Sequence, residues 1–340
     1  MRFFLLVLLF ALSLFSQNRA FSRSGGLEVL KKAARDREIK PMAKPSWVND
    51  AAVPVATIAW LSDMHIAADP MYIGRTRILL NQLRDELKPD CTFITGDNCA
   101  NGASLMKDIL DGELNRPYVI IPGDNWPWDF HETFGSHVFS FDLAGLHFVF
   151  ASTDAKAKGN DACAEFLQDT KDWLQQDLQD HSRMATIYVM HETLYPPLFL
   201  DAEWTEGLLK KNKQVLAAFS GHLHFDLELK RTSWTQFVCP AVGPSHRPAF
   251  KFLSVFKDHI LIRSYEWDTD KRYFKVADKW QRILIPNDLQ RRGTAVVANR
   301  RSMPPRAKIL DQSLLKRSKE IDNGLMMFIG SYGIKSFFSK

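Results

Sequence analysis

Five short apolar runs in this chain each stop at side chains able to hold a cation, and this restricts the fold more than any other feature of the sequence. Val55 to Leu61 ends in Ser62-Asp63-Met64-His65, Cys91 to Thr95 in Gly96-Asp97-Asn98, and Tyr118 to Ile121 in Pro122-Gly123-Asp124-Asn125. Further on, Thr186 to Met190 ends in His191-Glu192, and Val215 to Ser220 in Gly221-His222-Leu223-His224. Short apolar runs bounded by turn residues read as buried strands. Between them, Arg75 to Leu87 places Ile78, Leu79, Leu83 and Leu87 at helical spacing, and Phe166 to Leu178 is a second helical stretch. Phe139 to Phe141 and His147 to Ala151 read as two strands around the Ala144-Gly145 turn, and more strands follow out to about Ile285. Strands and helices first, then mostly strands, predict an α/β fold with a layered core. In open α/β sheets, ligands collect at the carboxyl ends of the strands.

Composition narrows the class. With 46% hydrophobic and 24% charged residues among 340, the chain is globular, not disordered, collagenous or many-pass membrane protein. A net charge of +5 is too small an excess to indicate a nucleic-acid partner. Four cysteines are too few for a disulfide scaffold. Cys91 and Cys99 flank one strand and are not expected to reach each other, while Cys163 and Cys239 could pair with them or with each other, with free buried thiols as the alternative.

The ends read separately from the middle. Arg2 followed by the apolar run Phe3 to Phe15, broken only by Ser13, has the form of a secretory signal over residues 1–20, with an uncleaved anchor as the alternative. Its removal would lower the net charge to +3, since Arg2 and Arg19 go with it. Export, whether periplasmic, secreted or envelope-associated, is the expected localisation. Residues 21–50 are expected to form a linker or loosely docked arm, 51–285 the domain, and 286–340 a basic tail. Residues 289–319 hold nine Lys and Arg against Asp311 alone, which reads as a solvated segment, with contact to an anionic surface as the alternative.

Each motif alone is weak, but the ordered set is specific. Asp63, His65, Asp97, Asp124, His191, His222 and His224 mix carboxylates with imidazoles, a donor set suited to Fe, Mn or Zn. One tetrahedral ion uses four ligands, so seven with one shared carboxylate suit two ions. Such a pair holds a water or hydroxide and polarises a phosphoryl oxygen.

The order Asp63-x-His65, Gly96-Asp97, Gly123-Asp124-Asn125, His191, Gly221-His222-x-His224 resembles the calcineurin-like metallophosphoesterase superfamily. The resemblance covers about residues 55 to 265, including the stretch from Phe139-Ser140-Phe141-Asp142 to Leu146-His147-Phe148-Val149. It implies a four-layer α/β/β/α sandwich with the metal site at strand carboxyl ends. It also implies one ion at Asp63, His65, Asp97 and His224, and a second at Asp97, Asp124, His191 and His222. The activity implied is hydrolysis of a phosphate-ester substrate, phosphatase or phosphodiesterase, by a metal-bridging hydroxide. A catalytically weakened metal-binding descendant is the alternative.

Two positions depart from the resemblance. The third motif of that superfamily reads Gly-Asn-His, where this chain has Gly123-Asp124-Asn125. Asp124 still offers an oxygen ligand but adds a negative charge, which weakens the pull on a phosphate anion. Asn125 takes the place of a histidine that assists the leaving oxygen, and an amide cannot act as a general acid. His131 is the candidate replacement acid, with an ordinary histidine as the alternative; His246 is a similar candidate. Arg75 reads as a surface residue near a helix start, with a phosphate contact as the alternative.

Overall fold

This computed structural model describes residues 32–157, 160–289, 293–312 and Leu314, with backbone alone over 160–163. The expected signal over 1–20 and most of the expected basic tail lie outside the described residues. Among the described residues, no helix is long and apolar enough to cross a membrane.

The strands are β1 (Ala56–Leu61), β2 (Cys91–Thr95), β3 (Tyr118–Ile121), β4 (Val138–Leu143), β5 (Leu146–Ala151), β6 (Ala155–Ala157), β7 (Asn160–Glu165) and β8 (Thr186–Val189). They continue as β9 (Val215–Ser220), β10 (Leu227–Lys230), β11 (Thr235–Val238), β12 (Ala249–Val255), β13 (His259–Asp268), β14 (Tyr273–Leu284), β15 (Ala298–Ser302) and β16 (Ile309–Leu310). The helices are α1 (Pro70–Gln82), α2 (Ala103–Ile109), α3 (Phe130–Phe134), α4 (Gln168–Asp180) and α5 (Ala202–Lys211). One six-stranded sheet runs β14-β13-β12-β1-β2-β3, and a seven-stranded sheet runs β10-β11-β9-β8-β5-β4-β15. A small third sheet has the order β16-β6-β7.

The layering follows from the two-residue period of a strand. Ile58 and Trp60 of β1 face inward, onto a core shared by both sheets, with Phe93, Phe141, Phe148, Phe150 and Phe219. The alternate residues Ala59 and Leu61 face outward, onto Leu79 and Leu80 of α1 and Met106 of α2. On the second sheet, Val149 and Tyr188 meet Leu174 and Leu178 of α4 and Leu208 and Leu209 of α5. The result is helix, sheet, sheet, helix, the expected α/β/β/α sandwich.

Helix α1 starts earlier than its apolar spacing predicts. Pro70 occupies the first turn, and Asp69 caps it by accepting from the Met71 N–H at 2.7 Å. Pro70 and Met71 in that first turn are exposed and Tyr72 and Ile73 only half-buried, so full burial begins near Arg75. Arg75 itself is not a surface residue. It is buried, and its Nη1 donates to the carbonyls of Val242 at 2.9 Å and Gly243 at 2.8 Å.

Both flanking segments are more integrated than the sequence suggests. In the expected loose arm, Ala33 and Ala34 are buried against Leu198, Leu223 and Phe225, and the Ile39 N–H donates to the Asp226 carbonyl at 3.0 Å. In the expected tail, β15 pairs antiparallel with β4, and β16 pairs with β6. This part of the tail is thus held by strand pairing while most of its residues stay exposed. Arg301 Nη1 lies 2.9 Å from Asp180 Oδ2 and 3.3 Å from Asp177 Oδ1, and Arg306 Nη2 lies 2.5 Å from Asp169 Oδ2. Cys91, Cys99 and Cys239 are free and buried.

Phe93 anchors the inter-sheet core. It is fully buried and meets Phe141, Phe148 and Phe150 edge-on at centroid distances of 5.9, 5.0 and 5.1 Å. Phe93→Ala is expected to lower the unfolding free energy by about 3–5 kcal/mol, measured by urea denaturation; a loss well under 1 kcal/mol would mean that the two sheets do not depend on this contact.

Candidate metal centre

Strands β1, β2 and β3 are parallel neighbours, so the segments that leave them start from one sheet edge. Strands β8 and β9 are parallel in the second sheet and deliver His191 and His222. Backbone bonds stack the five exits: Asp63 N to Gly96 O at 3.0 Å, Asp97 N to Pro122 O at 3.0 Å, and Gly221 N to His191 O at 2.9 Å. The sheets are tied across the gap by His222 N, which donates to Asp63 Oδ2 at 3.0 Å.

All seven sequence-predicted ligands converge. Asp63, His65 and His224 form one group, Asp124, His191 and His222 another, and Asp63, Asp97 and His191 lie between them. His224 Nε2 is 3.2 Å from Asp63 Oδ1, and His65 Nε2 is 3.6 Å from Asp97 Oδ2. His191 Nε2 is 3.4 Å from Asp97 Oδ1 and 3.1 Å from Asp124 Oδ1. His222 Nδ1 is 3.6 Å from Asp124 Oδ1. Asp97 thus reaches both groups, as a shared ligand must.

The backbone is bent to achieve this. Asp63, His65, Asp97, His222 and His224 all have left-handed φ, between 44° and 64°. This region is unfavourable for side chains with a β-carbon, and such strain clusters where geometry serves function. Gly96 and Gly123 admit the close approach. A β-carbon on Gly96 would lie 2.5 Å from His191 Nδ1, and one on Gly123 would lie 2.5 Å from Asp97 Oδ1.

Hydrogen bonds aim the ligands. The Thr95 carbonyl accepts from His191 Nδ1 at 2.8 Å, which places the proton there and leaves Nε2 to the cluster. Asn125 donates to Asp97 twice, from its backbone N at 2.9 Å and from Nδ2 at 2.5 Å. Three buried atoms of the cluster, Asp63 Oδ1, Asp124 Oδ1 and His65 Nε2, have no hydrogen-bond partner. Buried polar atoms are ordinarily satisfied. Unpartnered ligand atoms on carboxylate and imidazole, distributed over two adjoining groups, fit a pair of divalent transition-metal ions.

The electrostatics agree. Burial alone would raise the Asp63 and Asp124 carboxyls, but His224 and His191 hold Asp63 below the usual carboxylate range, and His222 and His191 hold Asp124 well below it. Asp97 is pushed up by burial and by the Asp124 charge. Burial disfavours the imidazolium of His191, yet Asp97 and Asp63 raise it well above its ordinary value. His222 is likewise opposed by burial but raised to about 9 by Asp124.

Other predicted residues fall elsewhere. His131 lies on α3, partly exposed, and no hydrogen bond or ion pair among the described residues links its ring to the cluster. His246 pairs with Glu38 of the N-terminal arm at 3.2 Å. Trp126 packs on His137 at 4.6 Å, whereas Trp128 on the same loop is 77% exposed. His147 is structural, with Nδ1 2.8 Å from Asp142 and Nε2 2.9 Å from Asp177. Three charged residues at the site escape the sequence reading. Glu192 is buried directly after His191 with Oε2 unpartnered, and Lys156 and Lys308 reach the carbonyls of the third motif. Only the His191-Glu192 pair at a strand end offered a signal; a lysine in a basic stretch looks like any solvated lysine.

A cation entering this cluster must displace protons held by His222 up to about pH 9 and by His191 beyond its ordinary range. Apparent Mn2+ affinity is therefore expected to rise with pH from 6 to 8.5, by about tenfold per unit for each proton displaced, measured by calorimetry in buffers of different ionisation heat. A flat profile would show that these imidazoles do not ligate. By linkage, the raised His222 stabilises the cation-free fold fully below its unfolded value, and this contribution is lost as pH rises through about 9.

No family model matches the sequence, and no curated protein matches it. Among solved structures, the chain is similar to a dimetal phosphatase from Danio rerio, at 14% identity and a TM-score of 0.54, covering 68% of this chain and 100% of that one. It is also similar to GAP50, the anchor in the inner membrane complex of Plasmodium, at 12% identity and a TM-score of 0.47, covering 78% and 94%. Vps29 from Chaetomium thermophilum matches at 11% identity and a TM-score of 0.40, covering 70% and 100%. The chain thus shares the fold of that dimetal phosphatase.

Proposed function

We propose that the protein is a metal-dependent hydrolase of phosphate esters. One observation carries this reading: seven carboxylate and imidazole side chains from five strand ends converge, with buried ligand atoms left unpartnered. Asp63, His65, Asp97 and His224 would hold one divalent ion, and Asp97, Asp124, His191 and His222 the other. Such an ion pair supplies Lewis acidity toward a phosphoryl oxygen and a nucleophilic water at neutral pH.

The chain's own residues set the conditions for that chemistry. Thr95 fixes the His191 tautomer, and Asn125 fixes both oxygens of Asp97. Asn125 is therefore a positioning residue. Its amide has no proton to give a departing oxygen near neutral pH, so the leaving group must depart with little help. This favours activated monoesters or diesters. The same departure favours a second reading, a metal-binding descendant with little turnover. Export, as a periplasmic, secreted or envelope-associated protein, is part of the proposal; Arg2 and the apolar run Phe3 to Phe15 support it. Anionic-surface contact by the basic stretch is supported only by the basic residues that Asp169, Asp177 and Asp180 do not engage.

Protein loaded with Mn2+, Zn2+ or Fe2+ is expected to hydrolyse a chromogenic aryl phosphate, and His191→Ala or Asp97→Ala to lower kcat/KM by at least about a hundredfold. Metal-loaded protein without turnover on any mono- or diester would leave the binding reading in its place.

Across aryl phosphates of rising leaving-group pKa, kcat is expected to fall steeply. A flat series, with chemistry shown to limit the rate, would mean that an acid such as His131 does serve the leaving oxygen.

A further inference from the structure

Two lysines reach the loop of the third motif from adjacent strands. Lys156 on β6 donates from Nζ to the Asp124 carbonyl at 2.7 Å. Lys308, directly before β16, has its Nζ 3.5 Å from the Gly123 carbonyl and 5.1 Å from the Trp126 ring centroid. The β16–β6 pairing, with Ile309 opposite Ala155 and Leu310 opposite Lys156, brings both lysines to this loop, on the carbonyls of two consecutive residues. Glu192, Asp124 and Asp97 all lie within electrostatic range of Lys308.

These residues form a charge balance around the cluster. Asp124 adds a carboxylate where a neutral amide could also have offered an oxygen ligand, and Glu192 adds another behind His191. Each carboxylate subtracts from the positive potential that would draw in a phosphate anion. Lys156 and Lys308 return the two charges that Asp124 and Glu192 remove. Both lysines are partly buried, with Nζ on a backbone carbonyl.

We propose that Lys156 and Lys308 are electrostatic positioning residues that keep this site attractive to a phosphate anion despite the carboxylate at position 124. The inference rests on the phosphoesterase reading above and adds to it a role for the C-terminal stretch.

The sign of the effect separates this role from a merely structural one. A nearby positive charge repels a divalent cation and attracts an anion. Removing it must tighten one ligand and loosen the other, whereas a loop that has lost its shape would loosen both. The experiment is calorimetric titration of the full chain with Mn2+, followed by titration of the Mn2+-loaded protein with inorganic phosphate. It compares the wild type with Lys156→Met/Lys308→Met, Lys308→Gln and Lys308→Arg. In the double variant, Mn2+ is expected to bind about three- to tenfold tighter and phosphate about tenfold weaker. Lys308→Gln, which keeps a donor for the Gly123 carbonyl, gives the same opposed shifts at smaller size and stands alone if the double variant does not fold. Lys308→Arg retains both wild-type affinities. Phosphate affinity unchanged in the variants, or both ligands weakened together, overturns the lysine assignment while leaving the hydrolase reading intact. A wild type that binds no Mn2+ overturns both.

Discussion

Asp97 is the residue on which the rest of the site depends. It is buried, its backbone is left-handed, and both of its oxygens accept from Asn125. It lies between the Asp63 group and the Asp124 group and is the one carboxyl of the cluster whose ionisation the surroundings oppose. A group held in this way is poised for cations, because binding relieves the repulsion from Asp124 that burial intensifies. The backbone strain at five ligand residues, about 1–3 kcal/mol each, has to be sustained by packing elsewhere. The aromatic core between the sheets, with Trp60 stacked on Phe219 at 4.3 Å, lies directly beneath the strand exits and does so.

The departures in the third motif become coherent in this setting. Asn125 is not a vacant position left by a lost acid, since its amide is committed to Asp97 through a close hydrogen bond. Asp124 is not an isolated extra charge, since His191 and His222 face its side chain and Lys156 donates to its backbone carbonyl. The backbone donor would survive any substitution other than proline; what the asparagine side chain adds is the Nδ2 bond to the second oxygen of Asp97. The chain therefore holds Asp97 firmly at the expense of a side chain that could give up a proton.

Much of this was legible in the sequence because strands are short and periodic. β2, β3 and β9 occupy the runs that their apolar residues mark, and the polar residues after them are the ones that converge. The four layers follow from alternation such as Ile58 and Trp60 inward against Ala59 and Leu61 outward. What escaped has a physical reason. β15 reads Ala-Asn-Arg-Arg-Ser and is mostly exposed, as edge strands are, so it carries no apolar alternation. His137 reads as an ordinary surface or capping histidine, yet it is buried on Asp154, a partner seventeen residues away that nothing next to it in the sequence announces.

The C-terminal stretch illustrates why charge counts mislead when read linearly. Its excess of basic residues looks unmatched because the acids that meet them lie elsewhere in the chain: Asp177 and Asp180 on α4 for Arg301, and Asp169 for Arg306. These contacts lead from the outer helix toward the third motif, ending at Lys308 on the Gly123 carbonyl. The Arg301–Asp180 and Arg306–Asp169 pairs, each with an exposed member, stabilise little individually. Their effect here is geometric, because β15 and β16 at either end fix the path of the intervening residues. A segment that would otherwise be free to meet any anion is thus held where its last described lysine faces the carboxylate cluster.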